Sequence, residues 1–521
     1  MTEQSQARFN LWIDPWIDLE TSSGTIVRLG IKETLIQANQ KLVAIFDNSP
    51  LVVVGIHRLL TAILQHIYDP QRLKDLSMLW NAGQFDPDKI IGFGRQFADR
   101  FDIFSQDKPF FQSADLPISP SKKDSIKTIA YLAAQLPSGT GVVHYRHSSD
   151  HSQVFCPVCA AKGVVTIPAF ATSGGAGIKP SINGVPPIYV LPGGADLFCK
   201  LFASLMLPAY KPKIASQTED QVWWEREGLV HHSQELLRVG YLHSLTFPAR
   251  RVRLHPEKLN TVCTLCGEQT EWGVRTMVFE MGETRLKGSE PWFDPFAGYK
   301  LNPGKPPTPI RPQRGKALWR EYGSLFLSHG SASDQTHSIR PAILDQAAAL
   351  AMEGINSTNQ QRALRCVGMV TDMKAKVFEW VDVGYDVPLN LLEDEFAGIE
   401  VDRAIQFAQD CAAILTKVFS IHFGGSGKGA TRHSRLRLDL INHYWGDLAV
   451  LFRKFILEFA EKPQDQGPIM RWIDDVISVG RTTMSETIQL VGDDAASLRN
   501  RVKAENDCAD NLFDRKRKEN L

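Results

Sequence analysis

EVDRAIQFAQDCAAILTKVFSIHF, Glu400 to Phe423, repeats apolar residues at Val401, Ile405, Ala408, Ala412, Leu415 and Phe419. Steps of three and four place these side chains on one stripe of a helix, the pattern of an element packed along its whole length. Downstream, the breaker run FGGSGKGAT interrupts the pattern. SRLRLDLINHYWGDLAVLFRKFILEFAEK (434–462) resumes it, and MRWIDDVISVG and DAASLRNRVKAEN continue it. Long helices joined by short breaker-containing links predict an antiparallel four-helix bundle over residues 389–521. The charged tail DRKRKENL predicts a frayed end.

Upstream the texture differs. FNLWIDPWIDL and GTIVRLG read as short strands with turns. Residues 51–68 read as a helix, and Asp86–Phe104 as another, with Asp86 as cap and Pro87 in the first turn. From about Pro109 to Pro312 the chain is rich in Gly, Pro and aromatics, which predicts loops and short strands around a few helices. The fold class expected is therefore α+β: a mixed domain over residues 1–388, then the bundle. A length of 521 residues agrees with more than one core.

The composition is that of a globular protein, with 43% hydrophobic and 22% charged residues. Formal net charge is zero, which argues against a free-standing polyanion binder whose affinity comes from neutralising phosphates. The N-terminus shows no basic and apolar leader pattern. LVVVGIHRLLTAIL, the richest apolar run, is broken by His57 and Arg58 and reads as a buried core helix rather than a membrane span. A cytoplasmic setting with reduced thiols is the expectation.

Four of the eight cysteines form two pairs, Cys156-Pro-Val-Cys159 and Cys263-Thr-Leu-Cys266. A two-residue spacer lets both thiolates of a knuckle reach one tetrahedral ion, and two knuckles complete a closed four-thiolate zinc site. Residues 160–262 separate the pairs, far more than in a compact zinc ribbon, so the ion would tie distant segments together in a structural role. His144, His147 and His151 lie just upstream as alternative ligands. Cys199, Cys366, Cys411 and Cys508 are isolated and read as small buried hydrophobes.

Catalytic patterns fail in detail. His255-Pro-Glu257 lies too close to Cys263 for a deaminase, and Val262 stands where that signature needs proline. Gly424–Gly429 mimics a phosphate loop, but His422 occupies the first glycine position and Gly429 the magnesium-binding hydroxyl position. No nucleophile elbow or HExxH is present. A glycine run, Ser173-Gly174-Gly175-Ala176-Gly177-Ile178-Lys179, follows the first knuckle. It reads either as a surface turn or as a close backbone approach to a ligand, and Lys179 leans towards an anionic one.

Taken in order, these residues resemble the CasA family, the large subunit of the type I-E CRISPR surveillance complex, Cascade. The resemblance rests on Asn10–Ile17 (NLWIDPWI), the two knuckles about a hundred residues apart and the glycine run about fourteen residues past the first. It extends to Gly-x-x-Pro-Trp-Phe-x-Pro at Gly288–Pro295 and to the C-terminal bundle. It implies a non-catalytic, zinc-containing subunit that contacts guide RNA and other Cascade subunits. Such a subunit inspects the protospacer-adjacent motif (PAM) of target double-stranded DNA, promotes R-loop formation and licenses recruitment of a separate helicase-nuclease.

By that resemblance the glycine loop carries over to Ser173, Gly174, Gly175 and Ala176, and guide contact falls near Tyr145, which also reads as a half-buried core aromatic. A wedge falls at Asp372, Met373 and Lys374, where Met373 suits insertion between base steps. The family's lysine finger falls near Met281, with Arg285 or Lys287 as substitutes. Lys300, Lys305, Arg311, Arg314, Lys316 and Arg320 suit phosphate contact, or form a solvated loop. Arg432, His433, Arg435 and Arg437 suit a displaced strand, or a solvated helix face. The competing expectations are a zinc-dependent nucleic-acid-processing enzyme and a purely structural zinc scaffold.

Overall fold

The computed structural model describes residues 7–117, 125–134, 153–172, 179–226, 235–327, 338–355, 361–371, 377–394, 396–424, 430–463 and 465–519. Helix and strand are mixed throughout the first of two compact units, Met1–Pro312 with Arg340–Val387. The second comprises Gln313–Ile339 with Pro388–Leu521. Residues 313–339, which the sequence assigns to the first domain, thus count with the second.

In the first unit, Asn10–Asp14 folds as a turn rather than a strand. The Asn10 side chain accepts from the Trp12 N–H at 2.9 Å and the Asp14 carboxylate from the Asn10 N–H at 2.6 Å. Short Asn and Asp side chains compete for backbone donors in this way and stop a strand from forming. The strand starts at Ile17. Ile17–Thr21 lies between Ile26–Leu29 and Leu42–Ile45 in an antiparallel sheet.

Helix Pro50–Tyr68 follows. It is long and apolar enough to cross a membrane by composition, yet 83% of its apolar window is buried inside the unit, as a core helix requires. Helix Pro87–Phe97 starts as expected, with the Asp86 carboxylate accepting from the Asp88 N–H at 2.9 Å. It ends at Phe97, and a single 3-10 turn carries the chain through Phe101.

The central feature is a long antiparallel hairpin, Arg250–Val262 with Gln269–Met281. Its register runs from Arg250 opposite Met281 at the base to Val262 opposite Gln269 at the tip. Helix Pro157–Phe170 packs on both the hairpin and the buried helix. A further sheet aligns Tyr189–Pro192, Gln361–Thr371 and Val377–Pro388.

The second unit holds four long helices, Ala397–Phe423, Ala430–Glu461, Gly467–Gln489 and Ala495–Glu519. All six stripe residues from Val401 to Phe419 are buried. Trp319, Trp445, Phe452, Phe455 and Trp472 fill the core with ring contacts of 4.6–6.0 Å. The indole of Trp472 and the hydroxyl of Tyr444 each donate to a backbone carbonyl of the first helix, Ala404 and Ala408, at 2.8 Å. The tail does not fray at Asp514. The helix continues to Glu519 because Arg515 pairs with Asp410 at 2.9 Å and with Glu519, while Lys516 pairs with Asp474.

Candidate metal centre and nucleic-acid interface

Two local structures build the thiolate cluster. The first knuckle starts a helix: Cys156 is the cap, Pro157 occupies the first turn, and the Cys156 sulfur accepts from the Cys159 N–H at 3.4 Å. The second knuckle is the tip of the long hairpin, where the Gly267 N–H closes the turn on the Cys263 carbonyl at 2.9 Å. The two are stitched together just outside the sulfurs. Phe155 bridges Val274 through paired backbone bonds of 3.0 and 2.9 Å, and the Thr264 N–H donates to the Val154 carbonyl at 2.8 Å.

As a result all four sulfurs lie within 4.8 Å of one another, and those of Cys156 and Cys266 are 3.8 Å apart. A tetrahedral ion bound at about 2.3 Å to each thiolate spaces its sulfurs by about 3.8 Å, so the donor set fits a metal ion. Three of the cysteines are buried and Cys266 is exposed. Hydrogen bonds from Cys156 and Cys159 hold the Cys263 thiol far below its ordinary pKa, whereas its bonds to Cys156 and Cys263, together with burial, push Cys159 far above. A cation held by these sulfurs would take the place of their protons.

A chain of charges braces the cluster against the N-terminal sheet. Glu268, two residues past Cys266, pairs with Arg28 at 2.9 Å, and Arg28 pairs with Asp18 at 2.6 Å. Asp18 pairs with Lys162 at 2.6 Å, on the helix begun by the first knuckle, and Lys162 pairs with Asp47 at 2.8 Å. Burial works against the Lys162 charge, but Asp47 and Asp18 outweigh it and hold the ammonium above its usual pKa. A cleft of about 540 Å³ opens beside these residues. Its charged walls are already paired, which argues against an ionic ligand there.

Among the candidate nucleic-acid contacts, the two finger substitutes separate clearly. Leu286-Lys287-Gly288-Ser289 is a turn in which the Ser289 N–H donates to the Leu286 carbonyl at 3.1 Å. Gly288 has φ +84°, the value a type II turn needs at its third residue and one that glycine adopts without strain. Lys287 therefore stands exposed at the tip. Arg285 is spent on the turn itself: its guanidinium donates to Ser289 Oγ at 2.9 Å and to the Glu290 carbonyl.

The basic loop divides likewise. Lys305 is exposed at the end of the Asn302–Lys305 turn, and Arg314 is exposed. Arg311 donates to the carbonyls of Val185 and Asn183 at 3.0 and 3.4 Å, Lys316 pairs with Glu321, and Arg320 lies 3.9 Å over the Trp445 ring. In the second unit Arg437 reaches Ser420 Oγ at 3.4 Å, and Arg435 is exposed. Tyr145, Ser173, Gly174, Gly175, Ala176, Asp372, Met373 and Lys374 lie outside the described residues, as do His144, His147, His151 and the Arg432 side chain.

Gly288–Pro295, the PWF segment, is a core strut. The Trp292 indole donates to the Val239 carbonyl at 2.8 Å, Phe293 meets Tyr299 edge-on at 4.9 Å, and Asp294 forms a buried pair with Arg58 at 3.1 Å. Sequence reading does not find the Arg58–Asp294 pair, the Asn183 amide that donates to the same carboxylate at 3.1 Å, or the Tyr299 hydroxyl that accepts from the Asp294 N–H at 2.8 Å. A polar interruption at Arg58 inside an apolar helix is the one signal that points to it.

Fold and cluster together define a class: mixed helix-and-strand proteins in which two distant CxxC knuckles meet in a closed thiolate site. The family model described as CRISPR-associated protein Cse1 matches residues 10–477, and the chain belongs to that family. A curated relative, CRISPR-associated protein CasA/Cse1 of Thermus thermophilus, is 26% identical over 482 residues, spanning 88% of this chain and 89% of its own. The crystal structure of Cse1 from Acidimicrobium ferrooxidans has the same fold, with a TM-score of 0.78 at 21% identity over 99% of each chain. A chain of a structure described as a CRISPR RNA-guided surveillance complex gives a TM-score of 0.73 at 18% identity, covering 97% of this chain and 99% of its own. The family resemblance drawn from the sequence is thereby borne out.

Proposed function

We propose that this chain is the large subunit of a guide-RNA surveillance complex, in the cytoplasm, that inspects the PAM of target double-stranded DNA. Membership of the Cse1 family over residues 10–477 is the observation that carries this reading. In it the four thiolates hold zinc, and the closed shell leaves no position for substrate, which favours a structural ion and no chemistry by this chain. The last four helices form a bundle whose surface licenses recruitment of a helicase-nuclease.

Lys287, exposed at a turn tip, serves as the basic finger, and Ser173–Ala176 as the glycine loop. Met373 with Asp372 and Lys374 serves as the wedge, and Tyr145 meets the guide. Phosphate contact falls to Lys305 and Arg314, which are exposed, whereas Arg311 and Lys316 are half-buried. Minor-groove inspection reads a degenerate pattern, so several flanks would be accepted while guide pairing supplies the sequence specificity.

The test is a gel-shift titration of the guide complex, assembled with and without this chain, on duplexes differing only in the flanking trinucleotide. Flank-dependent affinity only when the chain is present is the expected result. Identical titrations with and without it would refute the proposal.

A further inference from the structure

The four sulfurs of the thiolate cluster differ in what surrounds them. Cys156, Cys159 and Cys263 are buried, and Cys266 is exposed. The Cys156 sulfur accepts from the Cys159 N–H at 3.4 Å, and the Cys263 sulfur accepts from the Cys156 N–H at 3.3 Å. Among the described residues no N–H donates to the Cys266 sulfur, and the Cys156 sulfur lies 3.8 Å from it. A covered thiolate is slow to oxidise, whereas an accessible one reacts according to its exposure and thiolate character.

The approach to Cys266 is open as well. Cys266 lines the cleft of about 540 Å³, beside Leu265, Glu268, Arg28 and Lys162. Arg28 is paired with Glu268, and Lys162 with Asp18 and Asp47, so the walls offer little to an ion and no barrier to a small neutral molecule. Hydrogen peroxide is such a molecule. The tip can also yield. Gly267, next to Cys266, has φ +79° and open space around it. Beneath the tip the two knuckles stay stitched by the Phe155–Val274 bridge and the Thr264–Val154 bond. Closing the Cys156–Cys266 gap from 3.8 Å to the about 2.05 Å of a disulfide therefore moves a solvent-exposed turn and spares the strands below.

We propose that Cys266 is the site at which peroxide oxidises the cluster, and that a Cys156–Cys266 disulfide then takes over from the metal ion the tie between helix and hairpin. The inference rests on the zinc reading above. The Cys266 thiolate attacks one oxygen of hydrogen peroxide; the O–O bond breaks, a sulfenic acid forms and hydroxide leaves. The Cys156 thiolate then attacks the Cys266 sulfur; the S–O bond breaks and a second hydroxide leaves. Two thiolates give up two electrons in all, and one peroxide is reduced to two hydroxides, which take protons from solvent to become water. Cys159 and Cys263 alone no longer close a four-thiolate shell, so the ion is released.

The experiment takes the full chain loaded with zinc and titrates it with hydrogen peroxide. Zinc release is followed with a chromogenic chelator, sulfenic acid is trapped with a cyclic dione, and linked peptides are mapped by mass spectrometry without reduction. Trapping at Cys266 should run at least tenfold ahead of trapping at Cys156, Cys159 or Cys263. Zinc should leave in equal amount to the Cys156–Cys266 link, and a dithiol with added zinc should restore the site. Cys266→His keeps a ligand for the ion without the exposed sulfur and should slow zinc release at least tenfold. If that variant does not load zinc, the wild-type mapping decides alone. Zinc retained in a hundredfold excess of peroxide, or released with a Cys156–Cys159 or Cys263–Cys266 link instead, overturns the inference while the zinc content keeps the metal reading standing. A chain that binds no zinc overturns both.

Discussion

Asp294→Ala strands a cation in the core of the first unit. The Arg58 and Asp294 side chains are 2% and 0% exposed, with N···O at 3.1 Å, so neither can turn to water when its partner is lost. Removing one member of such a pair costs about 3–5 kcal/mol, because the remaining charge stays buried without compensation. The Phe296 N–H and the Asn183 amide, which donate to the same carboxylate at 3.0 and 3.1 Å, also lose their acceptor. Each orphaned donor costs about 1–3 kcal/mol, and shared relaxation holds the total to about 4–6 kcal/mol.

For a unit this large about 2 °C is lost per kcal/mol, so calorimetry should show its transition falling by about 8–12 °C. The double variant R58M/D294N removes the charge altogether and should recover at least half of that loss. A fall under 2 °C for Asp294→Ala, or no recovery in the double variant, would refute the claim that an uncompensated charge governs the cost.

Three further outcomes are expected. Cys263→Ser should abolish stoichiometric metal, read by elemental analysis, and a chelator should strip wild-type protein faster at pH 5.5 than at pH 8, since thiolates must take up protons to leave the ion. Lys287→Ala should weaken duplex binding by the assembled complex without moving the melting temperature, whereas Arg285→Ala should lower stability by about 1 kcal/mol through the lost turn contacts, a contrast visible in paired gel-shift and urea-unfolding series. His57 is held to a pKa of about 3 by burial, reinforced by the positive charges of Lys200 and Arg58. Its unfolded value is about 6.5, so the folded state binds fewer protons; its stabilisation is complete above about pH 6.5 and is lost as pH falls towards 3. His57→Gln should flatten that part of the pH dependence of the unfolding free energy.

What the sequence reveals here is whatever is periodic or local. The stripe from Val401 to Phe419 declares its buried face, Asp86-Pro87 declares a helix start, and each CxxC declares a knuckle, because the governing contacts fall within a few residues. The junction of the two knuckles is legible only because the four-thiolate chemistry demands it. Arg311 looks identical to Lys305 on paper; that its donors belong to Val185 and Asn183 depends on a fold that brings together positions well over a hundred residues apart. The tail reads as charged and frayed, yet Arg515 and Lys516 find Asp410 and Asp474 on neighbouring helices. FNLWIDPWIDL reads as short strands with turns without saying where each falls; the strand is Ile17–Thr21, and at Asn10–Asp14 two side-chain bonds to backbone N–H groups set the turn.

The hairpin tip also sets a schedule for synthesis. Cys156 and Cys159 leave the ribosome while residues 160–262 are still to be made, and at about 5–20 residues per second the wait for Cys263 is about 5–20 s. During that interval a half-site of two thiols has no partners, and Lys162, made three residues after Cys159, joins Asp18 to hold its helix against the N-terminal sheet. A nascent chain halted between the knuckles should bind metal weakly and oxidise readily, while one halted after Glu268 should do neither.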